Sequence, residues 1–196
     1  MRGLFGLVAI AIVIGCSTPR RGVPAAGSGG DFDRVAATKA VYEAVLRHEG
    51  GPRILRFVVD PAQFPLGASL DRVTPGDRLR ADTAADFRRG RPGRMPRDPA
   101  PGLPVHWFTS AEWEALPTES GAAYELDAKW YAFHQRFPDS AGHMAFSHVG
   151  FSRDGRQALV HMWSGSASLS GAGHFYLLEA RAGAWSVVDQ VMTVIA

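Results

Sequence analysis

Apolar residues recur at helical spacing in two segments of the chain. We predict one helix over 31–49, with Asp31 as its N-cap and Gly50-Gly51 as its end. A second helix is predicted over 119–137, where the apolar positions are three or four residues apart and Pro138 follows. Each helix therefore has one apolar face that must pack against another element.

The segment between these helices contains shorter signals. Residues 54–60 and 105–108 are apolar runs typical of strands, and residues 110–116 (SAEWEAL) predict a short helix. Residues 61–104 are rich in proline, glycine and arginine. That composition predicts a long irregular loop with room for a short helix.

The last third of the chain changes to strand-like patterning from Gly142 onward. Two apolar segments flank Arg153-Asp154-Gly155-Arg156, and two more flank Ala182-Gly183-Ala184, as in β-hairpins. We therefore predict an α+β fold. Its sheet is expected to be a curved, four-stranded or slightly larger antiparallel meander, with the helices packed on one face.

The amino terminus has the layout of an export signal. Arg2 precedes an apolar run over 4–14, which is shorter than the roughly 20 residues needed to cross a bilayer. The tetrapeptide Val13-Ile14-Gly15-Cys16 resembles the lipobox of bacterial lipoprotein precursors. That resemblance implies a diacylglyceryl group on the Cys16 thiol and cleavage between Gly15 and Cys16.

The organisation that follows has three parts. We predict a lipoprotein signal peptide over 1–15, a lipidated flexible tether over 16–30, and a single globular domain over 31–196 that includes the loop near 61–104. Cys16 is the only cysteine, so lipidation leaves no thiol for a disulfide or a catalytic role. The expected location is the cell envelope, on the outer side of the inner membrane or at the outer membrane.

Several short elements of the last third resemble a family of small, uncharacterised bacterial proteins, many of them exported. That family commonly has an arginine where His148 stands and a tyrosine where His161 stands. Because it has no established activity, the resemblance supports the fold and leaves the function open. The elements are Trp130 with Phe133, Pro138-Asp139-Ser140-Ala141-Gly142, Ser147-His148-Val149-Gly150-Phe151, Ala158-Leu159-Val160, Gly171-Ala172-Gly173, Leu177-Leu178 and Trp185.

Histidines are the first candidates for chemistry. A zinc site needs three or four ligands that converge on one ion, and no H-E-x-x-H, H-x-H or Cys/His spacing is present. We therefore expect no metal centre and no cofactor. Four of the seven histidines fall on the predicted meander, where adjacent strands could still bring them together: His143, His148, His161 and His174.

A hydrolytic triad is the second candidate. Residues 163–175 are rich in serine, and His174 and Asp189 lie nearby in sequence. No G-x-S-x-G or S-x-x-K motif is present, and serine and glycine are ordinary residues of strand connections. We therefore assign no catalytic residue.

An arginine cluster is the third candidate. Residues 77–99 contain seven arginines and four aspartates, and arginine binds phosphate bidentately. The anion-binding candidates are Arg88, Arg89, Arg91 and Arg94. The net charge of the chain is only +2, so the sequence does not indicate nucleic-acid binding.

These observations favour a membrane-anchored lipoprotein that binds an envelope component or a partner protein. The alternative is a small hydrolase or a metal-dependent enzyme that uses the histidines of the sheet. Convergence of His148, His161 and His174 would favour the enzyme, and dispersal over both faces would favour the binding protein.

Overall fold

The computed structural model of the chain describes residues 32–50, 55–59, 78–90, 105–108, 110–118 and 125–195. The predicted signal peptide and tether lie outside these ranges. No helix in the described part is long and apolar enough to cross a membrane. The elements in chain order are α1 (Arg34–Glu49), β1 (Leu55–Val59), α2 (Ala81–Arg89), β2 (Val105–Phe108), α3 (Ser110–Glu114), α4 (Glu125–Arg136), β3 (Ser140–Phe146), β4 (Gly150–Phe151), β5 (Gln157–Ala167), β6 (Ser170–Arg181) and β7 (Ala184–Ile195).

The predicted α+β class is confirmed. Seven described strands form one sheet in the order β2-β1-β3-β5-β6-β7, and the short β4 also pairs with β5. The predicted antiparallel meander is the part made by β3, β4, β5, β6 and β7. Its first predicted strand is divided into β3 and β4 by residues 147–149.

The sheet is mixed, which the strand pattern did not predict. β1 pairs in parallel with both β2 and β3. Parallel neighbours need a crossover connection that returns the chain to the same end of the sheet, usually through a helix. Here α2 lies between β1 and β2 in sequence, and α3 and α4 lie between β2 and β3.

The helices lie on both faces of the sheet, which corrects the expectation that they pack on one. α1 packs against one face, where Tyr42 contacts Phe146 at a ring-centroid distance of 4.7 Å. α2 packs against the opposite face, where Phe87 lies among apolar residues of β5 and β6, and α4 lies on that face too. The continuous burial of 157–162 in β5 has this cause, because a strand covered on both sides is apolar at successive positions.

α1 begins two residues later than predicted. The carboxylate of Asp33, not Asp31, caps the helix by accepting a hydrogen bond from the Ala36 N–H at 3.0 Å. Phe32 and Val35, which precede the packed turns, are exposed. The buried face of α1 consists of Ala37, Thr38, Val41, Tyr42, Val45 and Leu46.

The predicted loop over 61–104 includes α2, which is held to the β4–β5 turn by polar contacts. The Arg80 guanidinium donates to both carboxylate oxygens of Asp154 at 2.9 and 2.8 Å. The Gln157 side chain accepts from the Arg80 N–H and donates to the Arg78 carbonyl. These bonds fix the start of α2 relative to β5.

A buried carboxylate joins α2 to α1 and β4. Asp86 accepts hydrogen bonds from Arg34 at 2.6 Å, from the Phe151 N–H at 2.8 Å and from Arg89 at 3.2 Å. Arg34 also donates to the Val149 carbonyl at 2.9 Å. Burial acts to raise the pKa of Asp86, but the bonds from Phe151 and Arg34 outweigh it, and the pKa lies below its usual value. We call this arrangement the Asp86 junction.

The predicted turns are confirmed at both hairpins. Gly155 has a φ of +64°, and the edge of the Phe32 ring occupies the space where a Cβ would lie. Ala182 and Gly183 have φ values of +49° and +76°, as a two-residue type I′ turn requires.

Candidate functional site

His143 is part of an aromatic core rather than of an open site. Its ring stacks on Trp130 at a centroid distance of 5.0 Å and meets the edge of Trp113 at 5.4 Å. Burial lowers the pKa of His143 to about 4, so the ring is neutral at physiological pH. This histidine fills space between β3 and the helices.

His148 and His161 occupy two separate positions. His148 stacks on Phe87, and its Nε2 lies 2.7 Å from the Phe87 carbonyl oxygen. Nε2 of His161 lies 3.1 Å from the Thr193 hydroxyl. Burial, with a smaller effect from the neighbouring His174, lowers the pKa of His161 to about 4. Each ring thus has its own local hydrogen-bonding partner.

His174 lies on the other face of the sheet. It is paired directly opposite Met162, whereas His161 is paired with Phe175, and successive strand residues alternate between faces. The three histidines therefore do not converge. Among the residues that the structure describes, no group of three or more histidine, cysteine, aspartate or glutamate side chains is placed to hold a metal ion.

The residues of the conceivable triad are also apart. Asp189 is paired opposite Leu177, on the face of α2, whereas His174 lies on the face of α1. The serines of the β5–β6 turn make other contacts: Ser166 with Ser170 at 3.0 Å, and Ser168 with the Asp127 carboxylate. No nucleophile–base–acid arrangement is formed by these residues.

Of the predicted anion-binding arginines, Arg88 and Arg89 lie in the last turn of α2. Arg91 and Arg94 lie outside the described residues. Arg89 pairs with Asp86 at 3.2 Å. The carboxyl end of a helix carries partial negative charge, which stabilises cations such as these two arginines and repels an anion. Arg89 thus contributes to the Asp86 junction, and anion binding by the four arginines stays a prediction.

At one end of the sheet, the β5–β6 turn packs against α4. α4 begins beside this turn: Asp127 contacts Ser168, and Nε2 of His134 lies 2.8 Å from the Ser166 carbonyl oxygen. These contacts hold the turn against α4. They also bring the start of α4 and the β5–β6 turn together.

Three exposed apolar side chains belong to α4 and this turn. Leu169, at the tip of the turn, is 88% exposed, and Tyr131, one helical turn after Asp127, is 63% exposed. Leu126 is also exposed. We call Leu126, Tyr131 and Leu169 the distal patch. Single exposed apolar residues are common, whereas apolar residues that are exposed together are candidates for an interaction surface.

The chain enters the domain at the opposite end of the sheet. Phe32, the first described residue, packs edge-on against Phe151 at 5.0 Å and lies against Gly155 in the β4–β5 turn. β5 runs from that turn to the distal patch, and its 11 residues span roughly 30 Å. The distal patch is therefore about one strand length from the point of entry.

Comparisons with known proteins identify no relative of this chain. No protein-family model matches the chain, and neither a curated protein nor a solved structure is significantly similar to it. The resemblance of the last third to a family of exported bacterial proteins stays a prediction.

The sequence pattern did not predict the distal patch. Its strongest signal is Leu169, a large apolar residue within the stretch Ser166–Gly171 that otherwise consists of serine, alanine and glycine. A turn of that composition needs no leucine for its own conformation. Tyr131 gives no such signal, because an aromatic residue within an amphipathic helix is usually part of the core.

Proposed function

We propose that the chain is a bacterial lipoprotein, anchored by acyl chains on Cys16, whose domain binds a partner protein of the envelope through the distal patch. The observation that carries the anchor is the position of Cys16, directly after a short apolar run and directly before a Pro/Gly/Ser-rich stretch. Two or more acyl chains on one residue hold a protein stably at a membrane, whereas one chain binds only marginally.

The position of Phe32 supports a defined orientation. A tether over 17–30 spans roughly 20 Å as a flexible chain and joins the domain at the β4–β5 turn. That end is therefore the one joined to the anchor, and we expect it to lie nearest to the membrane on average. It exposes Phe32 and Val35 together with Arg153 and Arg156, a combination of apolar and basic side chains that suits a membrane surface.

The distal patch faces away from the anchor in this orientation, so its partner is a protein rather than the anchoring membrane. Tyrosine is enriched at protein interfaces because its ring is apolar and its hydroxyl forms hydrogen bonds. Leu169 protrudes from a turn that is fixed to α4, so little conformational entropy is lost when it is covered.

A photo-crosslinking amino acid tests this proposal in living cells. We expect p-benzoylphenylalanine in place of Leu169 to form a discrete protein adduct, and the same amino acid in place of Val35 to form lipid adducts. Both positions are exposed, so the second is a matched control. Gel mobility and mass spectrometry of the adducts separate the two classes.

Tyr131→Asp should abolish the protein adduct at position 169, because a charge in the patch opposes its desolvation. Cys16→Ala should abolish the lipid adducts at position 35. Lipid adducts alone at position 169, or a protein adduct unaffected by Tyr131→Asp, would contradict the proposed docking surface.

A further inference from the structure

Two methionines flank His174 on neighbouring strands. His174 in β6 is paired directly opposite Met162 in β5 on one side and Met192 in β7 on the other. Residues paired in this way lie on the same face of a sheet, with Cβ atoms about 5 Å apart. The three side chains therefore form a row across three strands, and we call it the Met–His–Met row.

The row lies at the margin of the packing between α1 and the sheet. Met162 is fully buried in the core that α1 covers. Tyr176, two residues after His174, contacts His48 in the last turn of α1 at a ring-centroid distance of 6.1 Å. Met192 is 52% exposed. The row thus extends from the core at Met162 to the solvent at Met192.

An unsatisfied nitrogen lies at the centre of this row. Nδ1 of His174 is buried and has no hydrogen-bond partner. A buried polar atom without a partner is unusual in a native protein, because its desolvation is not compensated. His48, His148 and His161 each have a hydrogen-bonding contact through Nε2, whereas the buried ring of His143 is stacked on Trp130.

The ligand types define the ion. Thioethers are soft ligands that select Cu(I), and imidazole also binds copper. Zinc instead takes four ligands from thiolates, imidazoles and carboxylates, and the described residues form no such group. Methionine has three rotatable bonds, so the exposed Met192 can turn its sulfur toward the imidazole, and Met162 lies directly opposite His174 on β5.

We propose that Met162, His174 and Met192 form a binding site for one Cu(I) ion, with two thioether sulfurs and the imidazole of His174 as ligands. Thioether sulfurs carry no proton, so the two methionines bind Cu(I) without releasing one. The ion would satisfy the buried Nδ1. The site does not involve Cys16, so it does not depend on the proposed anchor or on the distal patch.

The test uses the full chain with Cys16→Ser in detergent, so that no thiol competes for copper. Cu(I) is titrated without oxygen in competition with bicinchoninate, a chromophoric Cu(I) chelator. We expect one Cu(I) per chain. Met192→Leu, at an exposed position, and His174→Gln should each weaken the affinity at least tenfold.

Met144 supplies the matched control. It is buried on the same face but is paired with Ser164, one row away from His174, so Met144→Leu should leave the affinity unchanged. Because Cu(I) is diamagnetic, methionine-methyl NMR should show shifts of the Met162 and Met192 signals and none of the Met144 signal. Failure to withhold Cu(I) from bicinchoninate, or unchanged affinity in Met192→Leu, would overturn the site.

Discussion

Replacing Asp86 with alanine should lower the free energy of unfolding by about 3 kcal/mol. The substitution leaves the buried Phe151 N–H without its acceptor and removes the charged partner of Arg34 and Arg89. An unsatisfied buried donor costs about 1–3 kcal/mol, and a hydrogen bond to a charged group contributes about 1.5–3 kcal/mol. Asp86→Asn keeps an oxygen acceptor for Phe151 and should lose less. Urea denaturation of each variant gives the values.

Glu43→Ala is the matched control, because it removes a carboxylate that pairs with Arg47 at 2.6 Å on the helix surface. Such exposed pairs contribute about 0.5 kcal/mol or less. Equal losses in Asp86→Ala and Glu43→Ala would show that the Asp86 junction does not hold α1, α2 and β4 together.

The Asp86 junction should also make stability depend on pH in a defined direction. The pKa of Asp86 is lower in the folded chain than in the unfolded chain. Its contribution is therefore complete above the unfolded value of about 3.9 and is lost as the pH falls toward the folded value. As the pH falls from 5 to 3, the free energy of unfolding of Asp86→Ala should therefore decrease by less than that of the unsubstituted chain. An unchanged pH slope would contradict this assignment.

Gly142→Ala should destabilise the chain by about 3 kcal/mol or more. Gly142 has a φ of +123°, and a Cβ there would overlap the Gly165 carbonyl oxygen and lie 3.0 Å from the Ser166 Cα. Both obstacles belong to the backbone of β5, which cannot turn aside as a flexible side chain would. The glycine lies where β3 bulges against β1, and the Ser140 hydroxyl bonds to both the N–H and the carbonyl of Gly142.

Gly165→Ala tests the same strand pair from the other side. A Cβ at Gly165 has its nearest neighbours at 3.4–3.5 Å, which is ordinary contact, so the loss should be about 1 kcal/mol or less. Thermal unfolding of both variants checks the contrast. If Gly142→Ala were as stable as Gly165→Ala, the close approach of Gly142 to the backbone of β5 would be contradicted.

The local features of the fold could be predicted from the sequence, because turns and amphipathic helices depend on neighbouring residues. The φ of Gly155 and the strands of the meander follow from such patterns. The first residue of α1 could not be predicted from the sequence, because Asp31 and Asp33 are equally good capping residues. In the structure, only Asp33 accepts a hydrogen bond from the Ala36 N–H. The parallel pairing of β1 depends on crossovers that no local pattern reveals.

The candidate sites depend on the exact register of paired strands and on contacts between α4 and a turn, so the sequence predicted them poorly. His174 and Met162 are 12 residues apart, and only the register of β5 with β6 places them opposite each other. The same register separates His174 from His161 by placing them on opposite faces. Leu169 is recognisable as an unusual turn residue, but its association with α4 depends on the contact between Asp127 and Ser168.

The mass of the amino-terminal peptide of the mature protein tests the proposed anchor most directly. Protein purified from bacterial membranes and digested with trypsin should give a first peptide that begins at Cys16, with the added mass of a diacylglyceryl group on the thiol. The same peptide should be absent from the Cys16→Ala variant. A first peptide that begins at Met1, or one that contains Cys16 as an unmodified thiol, would contradict the lipoprotein proposal.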